Sequence, residues 1–130
     1  MDDSAWQTAF APFGNALPGI RTGWNTGDIW LRQSFDSKTA DIEAAALVIF
    51  YDEDTEVYVN GRLIWKRSGF TTAYDTFPIT DALKKALKPG RNTLAVHTHQ
   101  TAGGQFIDLA LLCEPKATKL AETTSHVPSR

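Results

Sequence analysis

An Asn60-Gly61 dipeptide between two short runs is the feature that most constrains how this chain folds. The run before it, Thr55–Val59, alternates polar and apolar residues, and the run after it, 62–65, is largely apolar. Asn-Gly favours a type I′ turn because both central positions of that turn need a positive φ, which these residues adopt at little steric cost. The pattern predicts a tight β-hairpin, and this hairpin fixes the direction of the strands on either side.

Composition limits the classes of protein to which the chain can belong. Its 130 residues, 42% of them hydrophobic and 22% charged, are enough for one domain with its own core. Cys113 is the only cysteine, so that core cannot depend on an internal disulfide. A net charge of −2 offers no basic surface for a phosphate backbone. No apolar run approaches the roughly 18 residues that a membrane-spanning helix needs, so we expect neither nucleic acid nor a membrane as a partner.

Short apolar or alternating segments recur along the chain, separated by turn-forming residues. Segment 44–51 is nearly continuous in apolar residues, too short for a typical helix and rich in the Val, Ile, Phe and Tyr that favour strands. Several such segments with a single helical turn favour an antiparallel sandwich over a βαβ sheet. The predicted fold is all-β, an antiparallel β-sandwich with one short helix and strands at 29–35, 44–51, 55–59, 62–65, 74–79, 92–99 and 105–113.

The predicted helix covers 80–87. Thr80 is expected to cap its first N–H groups, Asp81 suits the positive end of the helix dipole, and Pro89-Gly90 follows its end. The composition on either side of the strands predicts the domain limits. These are an extended N-terminal wrap and loop at 1–23, the β-sandwich domain at 24–115, and a linker or disordered tail at 116–130.

A series of motifs in a fixed order resembles a known family. A strand that ends in Asn60-Gly61 is followed by a Gly69-Phe70 loop, by an Ile79-Thr80 step before Leu83, and by a Pro-Gly-x-Asn-x-Leu-x-Val strand at 89–96. The early strand at 30–35 also fits. In order and spacing these residues resemble the galactose-binding-like jelly roll, as in the N-terminal sugar-binding domain of glycoside hydrolase family 2 enzymes.

The resemblance implies a function as well as a fold. Such domains are usually noncatalytic companions of glycosidases or other large secreted or periplasmic hydrolases. It therefore implies a noncatalytic carbohydrate-binding accessory module of a larger hydrolase, whose partners are carbohydrate and the catalytic domain of the parent protein. The alternative is a structural module that packs against a catalytic domain without binding ligand. The sequence contains no Gly-x-Ser-x-Gly elbow or Gly-rich phosphate loop, so we do not expect an enzyme.

If each connection reverses the chain direction, four loops meet at one end of the sandwich, namely 24–28, 51–54, 67–73 and 99–104. A pyranose has an apolar C–H face that stacks on aromatic rings and hydroxyls that bind convergent polar groups. The predicted stacking platform is the ring of Trp24 or Tyr51, and the open alternative is that both rings are core or rim packing. The predicted ligand-binding residues are Trp24, Asp28, Tyr51, Asp52, Asp54, Tyr74, His99 and Gln100.

Two clusters raise the question of a metal ion. The acidic run at 52–54 offers the oxygens that calcium prefers, but three consecutive acids cannot all point inward, and a polar turn is the favoured interpretation. His97 and His99 lie two apart on a strand and project from one face. With Asp108 on the neighbouring strand they could form a polar cluster or a metal half-site, although hydrogen-bonded histidines on the outer sheet face or under an interdomain contact are favoured. We predict no cofactor, with calcium as the open alternative.

Overall fold

The computed structural model describes residues 4–15 and 17–116. Most of the predicted tail, 117–130, lies outside these described residues. Nine strands and one helix make up the described part of the chain. They are β1 Phe13–Gly14, β2 Thr22–Gly23, β3 Asp28–Ser37, β4 Ile42–Asp52, β5 Thr55–Val59, β6 Arg62–Arg67, β7 Asp75–Pro78, α1 Thr80–Ala86, β8 Gly90–His99 and β9 Phe106–Pro115.

The strands form two sheets that pack as a sandwich. One sheet has five strands in the order β2-β1-β9-β4-β7, and the other has four in the order β3-β8-β5-β6. Among these strands, neighbours run antiparallel except for the short parallel pair β1 and β2. The predicted all-β sandwich is confirmed, with each of the seven predicted strands in place. The sequence did not predict β1 and β2, which lie within the segment expected to be an extended wrap. Strands of two residues are too short to leave a periodic pattern.

The Asn60-Gly61 hairpin forms as predicted. Asn60 has a φ of 51° and Gly61 a φ of 80°, as a type I′ turn requires. The Asn60 side chain also donates hydrogen bonds of 2.8 Å to the Asn92 side-chain oxygen and to the Ala86 carbonyl. The hairpin turn is therefore fastened beside the helix, at the end of the sandwich opposite the predicted site loops.

Inward-facing residues of the central strands form the core. Leu47 and Ile49 on β4 are fully buried, while Val48 between them turns to the outer face of its sheet. Val57 on β5 and Val96 on β8 close the core from the other sheet. This period of two agrees with the alternation in the sequence. It also leaves each sheet with an outer face whose chemistry is independent of the core.

The helix matches its predicted position but not its predicted cap. Its N-cap residue is Ile79, and no side chain caps it. The Thr80 hydroxyl instead accepts a hydrogen bond of 3.0 Å from the Ala45 N–H on β4. The predicted cap is wrong because the helix packs on β4, where this backbone group needs a partner. No helix within the described ranges is long and apolar enough to cross a membrane.

The connection after β8 crosses from one sheet to the other. β8 lies in the four-stranded sheet, whereas β9 lies in the five-stranded sheet. There Asp108 of β9 pairs with Phe50 of β4. Asp108 on β9 is therefore not on a strand next to His97, and the predicted cluster of His97, His99 and Asp108 is wrong. A short Gly-containing link suits a sheet crossing as well as a hairpin, so its sequence does not distinguish the two.

Candidate functional site

The loops predicted to share one end of the sandwich do meet there. Asp28, the first residue of β3, pairs with His99, the last residue of β8. The His99 N–H donates a hydrogen bond of 2.9 Å to the Asp54 carbonyl, and Asp52 forms an isolated β-bridge with Phe70. The antiparallel layout thus brings together backbone segments that are distant in sequence.

The acidic run at this end fastens the neighbouring loops. The Glu53 carboxylate accepts hydrogen bonds from the Thr101 N–H at 2.9 Å, the Thr101 hydroxyl at 2.5 Å and the Ala102 N–H at 2.8 Å. The Thr101 hydroxyl is the main cause of a lowered pKa of Glu53. Asp54 accepts a hydrogen bond of 2.9 Å from the Gly69 N–H. The carboxylates therefore serve different loops, and the described residues contain no group of three His, Cys, Asp or Glu side chains that could hold a metal ion.

The side chains of the predicted site residues do not form one pocket. Tyr74 lies at the outer face of the five-stranded sheet, where its hydroxyl donates a hydrogen bond of 2.5 Å to Asp108. Burial, followed by this hydrogen bond, raises the pKa of Tyr74 to about 12. Asp28 and His99 lie at the outer face of the opposite sheet. Gln100 lies in the loop between the sheets, and its side-chain N–H donates to a loop carbonyl at 2.6 Å.

The predicted stacking platform is not exposed. Trp24 and Tyr51 are each only 5% exposed. The Trp24 indole N–H donates a hydrogen bond of 3.2 Å to Thr26, and Tyr51 packs edge-on against Trp65 at 5.2 Å between ring centroids. Stacking on a sugar needs a free ring face, so the prediction is wrong for these two rings, and they are core packing instead. Burial also raises the pKa of the neighbouring Asp52.

A groove of about 640 Å³ is lined by the N-terminal segment, by the outer strand β3 and by residues of β8 and β9, so that both sheets contribute to it. Three aromatic side chains line it and are well exposed, with exposed fractions of 38% for Trp6, 63% for Phe10 and 48% for Trp30. Arg32 and Gln33 line it as well and supply polar groups. These five residues are called the aromatic groove below.

Hydrogen bonds and cations hold the N-terminal wall of the groove in place. The Thr22 hydroxyl accepts a hydrogen bond from the Phe10 N–H at 3.2 Å and donates one to the Phe10 carbonyl at 2.6 Å. The Arg21 guanidinium lies 4.9 Å from the Phe10 ring centroid, and the Arg32 guanidinium lies 5.9 Å from the Trp6 ring centroid. Both distances are within the range of cation–π contacts. The wall is therefore tied both to β2 and to β3.

Trp30 also lines the groove, and its ring stacks on a histidine. Its ring centroid lies 4.1 Å from that of His97, with 11° between the ring planes. His97 Nε2 is 2.8 Å from Asp28 Oδ1, and His99 Nδ1 is 2.9 Å from the same oxygen. The hydrogen bond to His97, and next the one to His99, lowers the pKa of Asp28. The favoured interpretation of two hydrogen-bonded histidines on the outer sheet face is confirmed.

The three exposed aromatic residues were not among the predicted site residues. For Trp30 the sequence did carry a signal, because it lies between the apolar Ile29 and Leu31 on a strand, and when those two face the core the residue between them faces outward. Trp6 and Phe10 precede every periodic segment, so nothing in their own neighbourhood places them beside β3. Long-range packing is the only source of that information.

Comparison with known proteins finds likeness among solved structures. No protein-family model matches the chain, and no curated protein matches it. A glycosyl hydrolase family 2 member from Bacteroides cellulosilyticus matches with a TM-score of 0.57 and 20% identity, over 85% of this chain and 17% of that one. An alpha-L-rhamnosidase from Streptomyces avermitilis, solved in complex with L-rhamnose, matches with a TM-score of 0.53 and 22% identity, over 67% of this chain and 9% of that one.

A third structure matches over nearly its whole length. It is a family 35 carbohydrate binding module from an environmental isolate, with a TM-score of 0.50 and 19% identity, over 85% of this chain and 92% of the module. The chain thus spans only 17% and 9% of the two glycosidase chains above. The predicted resemblance is confirmed at the level of the fold, and this chain has the galactose-binding-like β-sandwich fold.

Proposed function

We propose that this chain is a noncatalytic carbohydrate-binding accessory module of a larger glycoside hydrolase or related hydrolase, and that it binds sugar in the aromatic groove. The observation that carries the proposal is the exposure of Trp6, Phe10 and Trp30 along one groove. Folded domains usually bury such rings, and exposed aromatic residues gathered in a concave surface are typical of a ligand-binding site.

The aromatic groove suits both surfaces of a sugar. Its rings offer flat apolar faces for the C–H face of a pyranose, while Arg32 and Gln33 offer donors and acceptors for hydroxyl groups. Asp28 precedes Trp30 by two residues on β3 and therefore shares its sheet face. We assign Asp28 and its neighbour His99, both from the predicted site, as further hydroxyl partners.

A binding role without chemistry fits the groove and the coverage of the structural matches. Asp108 is the one carboxylate among the described residues that line the groove, and it already accepts a hydrogen bond from Tyr74. Most glycoside hydrolases use a pair of carboxylates across the scissile bond. The match to 92% of a carbohydrate binding module, against 17% of a glycosyl hydrolase, supports an accessory module.

A binding screen with matched variants tests the proposal. The chain is titrated with L-rhamnose, D-galactose, xylan, galactomannan and pectin while tryptophan fluorescence and affinity-gel mobility are followed. A ring that loses about 60 Å² of exposed surface by stacking contributes about 1.5 kcal/mol, so Trp30→Ala is expected to weaken binding about tenfold. Trp6→Ala is expected to act in the same direction.

Phe70→Ala is the matched control, since this ring is 60% exposed but lies at the loop end beside Asp52. It is expected to bind like the wild type. Loss of binding in Phe70→Ala alone would move the site to the predicted loop end with Asp52, Asp54 and Gln100. Absence of binding to every sugar of the panel would count against the function itself.

A second candidate function is docking on a catalytic domain, and one observation favours it. The middle of the outer face of the five-stranded sheet is apolar, since Ala46 and Val48 of β4 stand opposite Leu112 and Ala110 of β9. Leu112 is 54% exposed. An apolar sheet face of this kind is typical of a surface that another domain covers, and docking there is compatible with sugar binding on the other sheet.

A further inference from the structure

We propose that the aromatic groove binds consecutive units of one glycan chain, one unit on each of its three rings, rather than a single sugar. The proposal rests on the function proposed above, and it names the class of ligand as an oligosaccharide or polysaccharide chain. The first unit stacks on Trp30, and the rings of Trp6 and Phe10 hold the units that follow.

The ring of Trp30 has one open face, and that face points off the edge of the sheet. Trp30 and His97 are direct partners in the antiparallel register of β3 and β8, and their rings stack at 4.1 Å between centroids. The imidazole therefore covers the indole face on the β8 side. Among the described residues, no strand pairs with β3 on its other side. Since Trp30 is 48% exposed, its opposite face is open to a sugar beyond the sheet edge.

The two rings of the N-terminal wall are also covered on one side only. The Arg21 guanidinium lies over the Phe10 ring. The Arg32 guanidinium lies over the Trp6 ring. A cation–π contact uses one face of a ring and leaves the other for stacking, and open surface remains on both residues, 63% for Phe10 and 38% for Trp6. Together with Trp30, the groove carries three rings that can each stack on a sugar with one face.

The groove is longer than one sugar unit. Residues 30–33 of β3 line it without interruption, and at about 3.3 Å per residue they extend about 10 Å. Residues 6–11 of the N-terminal segment line it as well. A pyranose ring built from bonds of about 1.5 Å is about 3 Å across, so one unit with its glycosidic oxygens covers only part of that length. The volume of about 640 Å³ is also typical of sites for drug-sized ligands, which are larger than a monosaccharide.

Neighbouring units of one chain have an advantage over separate sugars. Once the first unit is held on Trp30, the next unit is tethered to it and reaches its own ring at a high effective concentration. It therefore loses little further translational freedom on binding. Each additional stacked unit is expected to raise the affinity about tenfold. Because three exposed rings line the groove, this gain should end at the trisaccharide.

A series of chain lengths tests the proposal. Xylo-oligosaccharides, manno-oligosaccharides and oligogalacturonides, each from monosaccharide to hexasaccharide, are titrated into the full chain by isothermal calorimetry. In a series that binds, the affinity is expected to rise about tenfold from the monosaccharide to the disaccharide, to rise again to the trisaccharide, and then to stay level. Equal affinity for the monosaccharide and the trisaccharide would overturn the proposal and leave the sugar-binding function intact.

Two other outcomes separate this proposal from the function on which it rests. Binding of L-rhamnose or D-galactose without binding of any longer chain would also overturn the proposal, because the site would then take a single sugar. Failure of every series and of every sugar in the panel above to bind would overturn the function itself.

Ring variants show whether the gain with chain length arises in the groove. Trp6→Ala and Phe10→Ala are expected to bind the monosaccharide nearly like the wild type, and each should lose about one tenfold step for the trisaccharide. Trp30→Ala is expected to weaken binding at every chain length. Phe70→Ala, the control at the loop end, should keep the whole profile. A gain that survives in both Trp6→Ala and Phe10→Ala would overturn the proposal, because the additional units would then bind elsewhere.

Discussion

At the scale of single residues, polar side chains fasten the loops at both ends of the sandwich. Asn92 is 1% exposed, and its side chain bonds the backbone of Lys88 and Gly90 and the side chain of Asn60. Glu53 acts in the same way at the other end, through three hydrogen bonds from one loop. The sequence marks these positions as turns, but the partner of Glu53 is 48 residues away, and no local pattern encodes that pairing.

Replacing Glu53 with Gln is expected to reduce the loss of folding stability that occurs as the pH falls. Hydrogen bonding, mainly from the Thr101 hydroxyl, lowers the pKa of Glu53 below 4.5. Its charged form therefore stabilises the fold above that ordinary value, and the contribution is lost as pH falls through the lowered pKa. Urea unfolding of the wild type and of Glu53→Gln is measured from about pH 7 to about pH 3. The difference between their unfolding midpoints is expected to shrink as the pH falls.

Glu43→Gln serves as the control for this prediction, because Glu43 is exposed on β4. Its unfolding midpoint is expected to follow that of the wild type more closely at every pH. A gap for Glu53→Gln that stays constant with pH would show that the carboxylate charge does not contribute.

At the scale of elements, local backbone and side-chain geometry explains most of the secondary structure that the sequence predicts. The hairpin forms because Asn60 and Gly61 tolerate positive φ, and the strands take the predicted faces because side chains alternate with a period of two. Pro78 is the last residue of β7, and β7 is an outer strand, where proline is tolerated because one side of the strand needs no backbone partner. Thr80 does not cap the helix, because its hydroxyl forms a hydrogen bond with the Ala45 N–H of the neighbouring strand β4 instead.

Gly61→Ala is expected to destabilise the hairpin. Gly61 has a φ of 80°, and an added Cβ would meet no atom within 4 Å, so the cost is backbone strain alone. That strain is about 1 kcal/mol for a residue other than glycine. Gly27→Ala is the matched control, because this glycine also has open space but no positive φ. Equal losses of thermal stability in the two variants would contradict the explanation.

At the scale of the whole molecule, the two outer faces have different chemistry. The face of the four-stranded sheet carries the Trp30, His97 and Asp28 cluster beside the aromatic groove. The face of the five-stranded sheet carries apolar side chains that include Val48 and Leu112. A single domain of this fold can therefore present one face to a sugar and the other to a protein.

Leu112→Lys is expected to reduce self-association of the isolated chain. If the apolar face docks on another domain, the chain without that domain should associate through it at high concentration. Sedimentation velocity over a concentration series measures this association. Leu63→Lys, on β6 and 46% exposed, is the control and should associate like the wild type. A wild-type chain that stays monomeric throughout would remove the support for docking.

The sequence by itself determined the hairpin, the strand phases, the all-β sandwich and the end at which four loops meet. These features depend on turn φ angles and on a period of two, and both are local properties. Only the tertiary structure decided which rings are exposed. Trp24 and Tyr51 are covered, while Trp6 and Phe10 stand open beside Trp30. The physical reason is that the exposure of a ring depends on the segments that pack over it, and those segments lie far away along the chain.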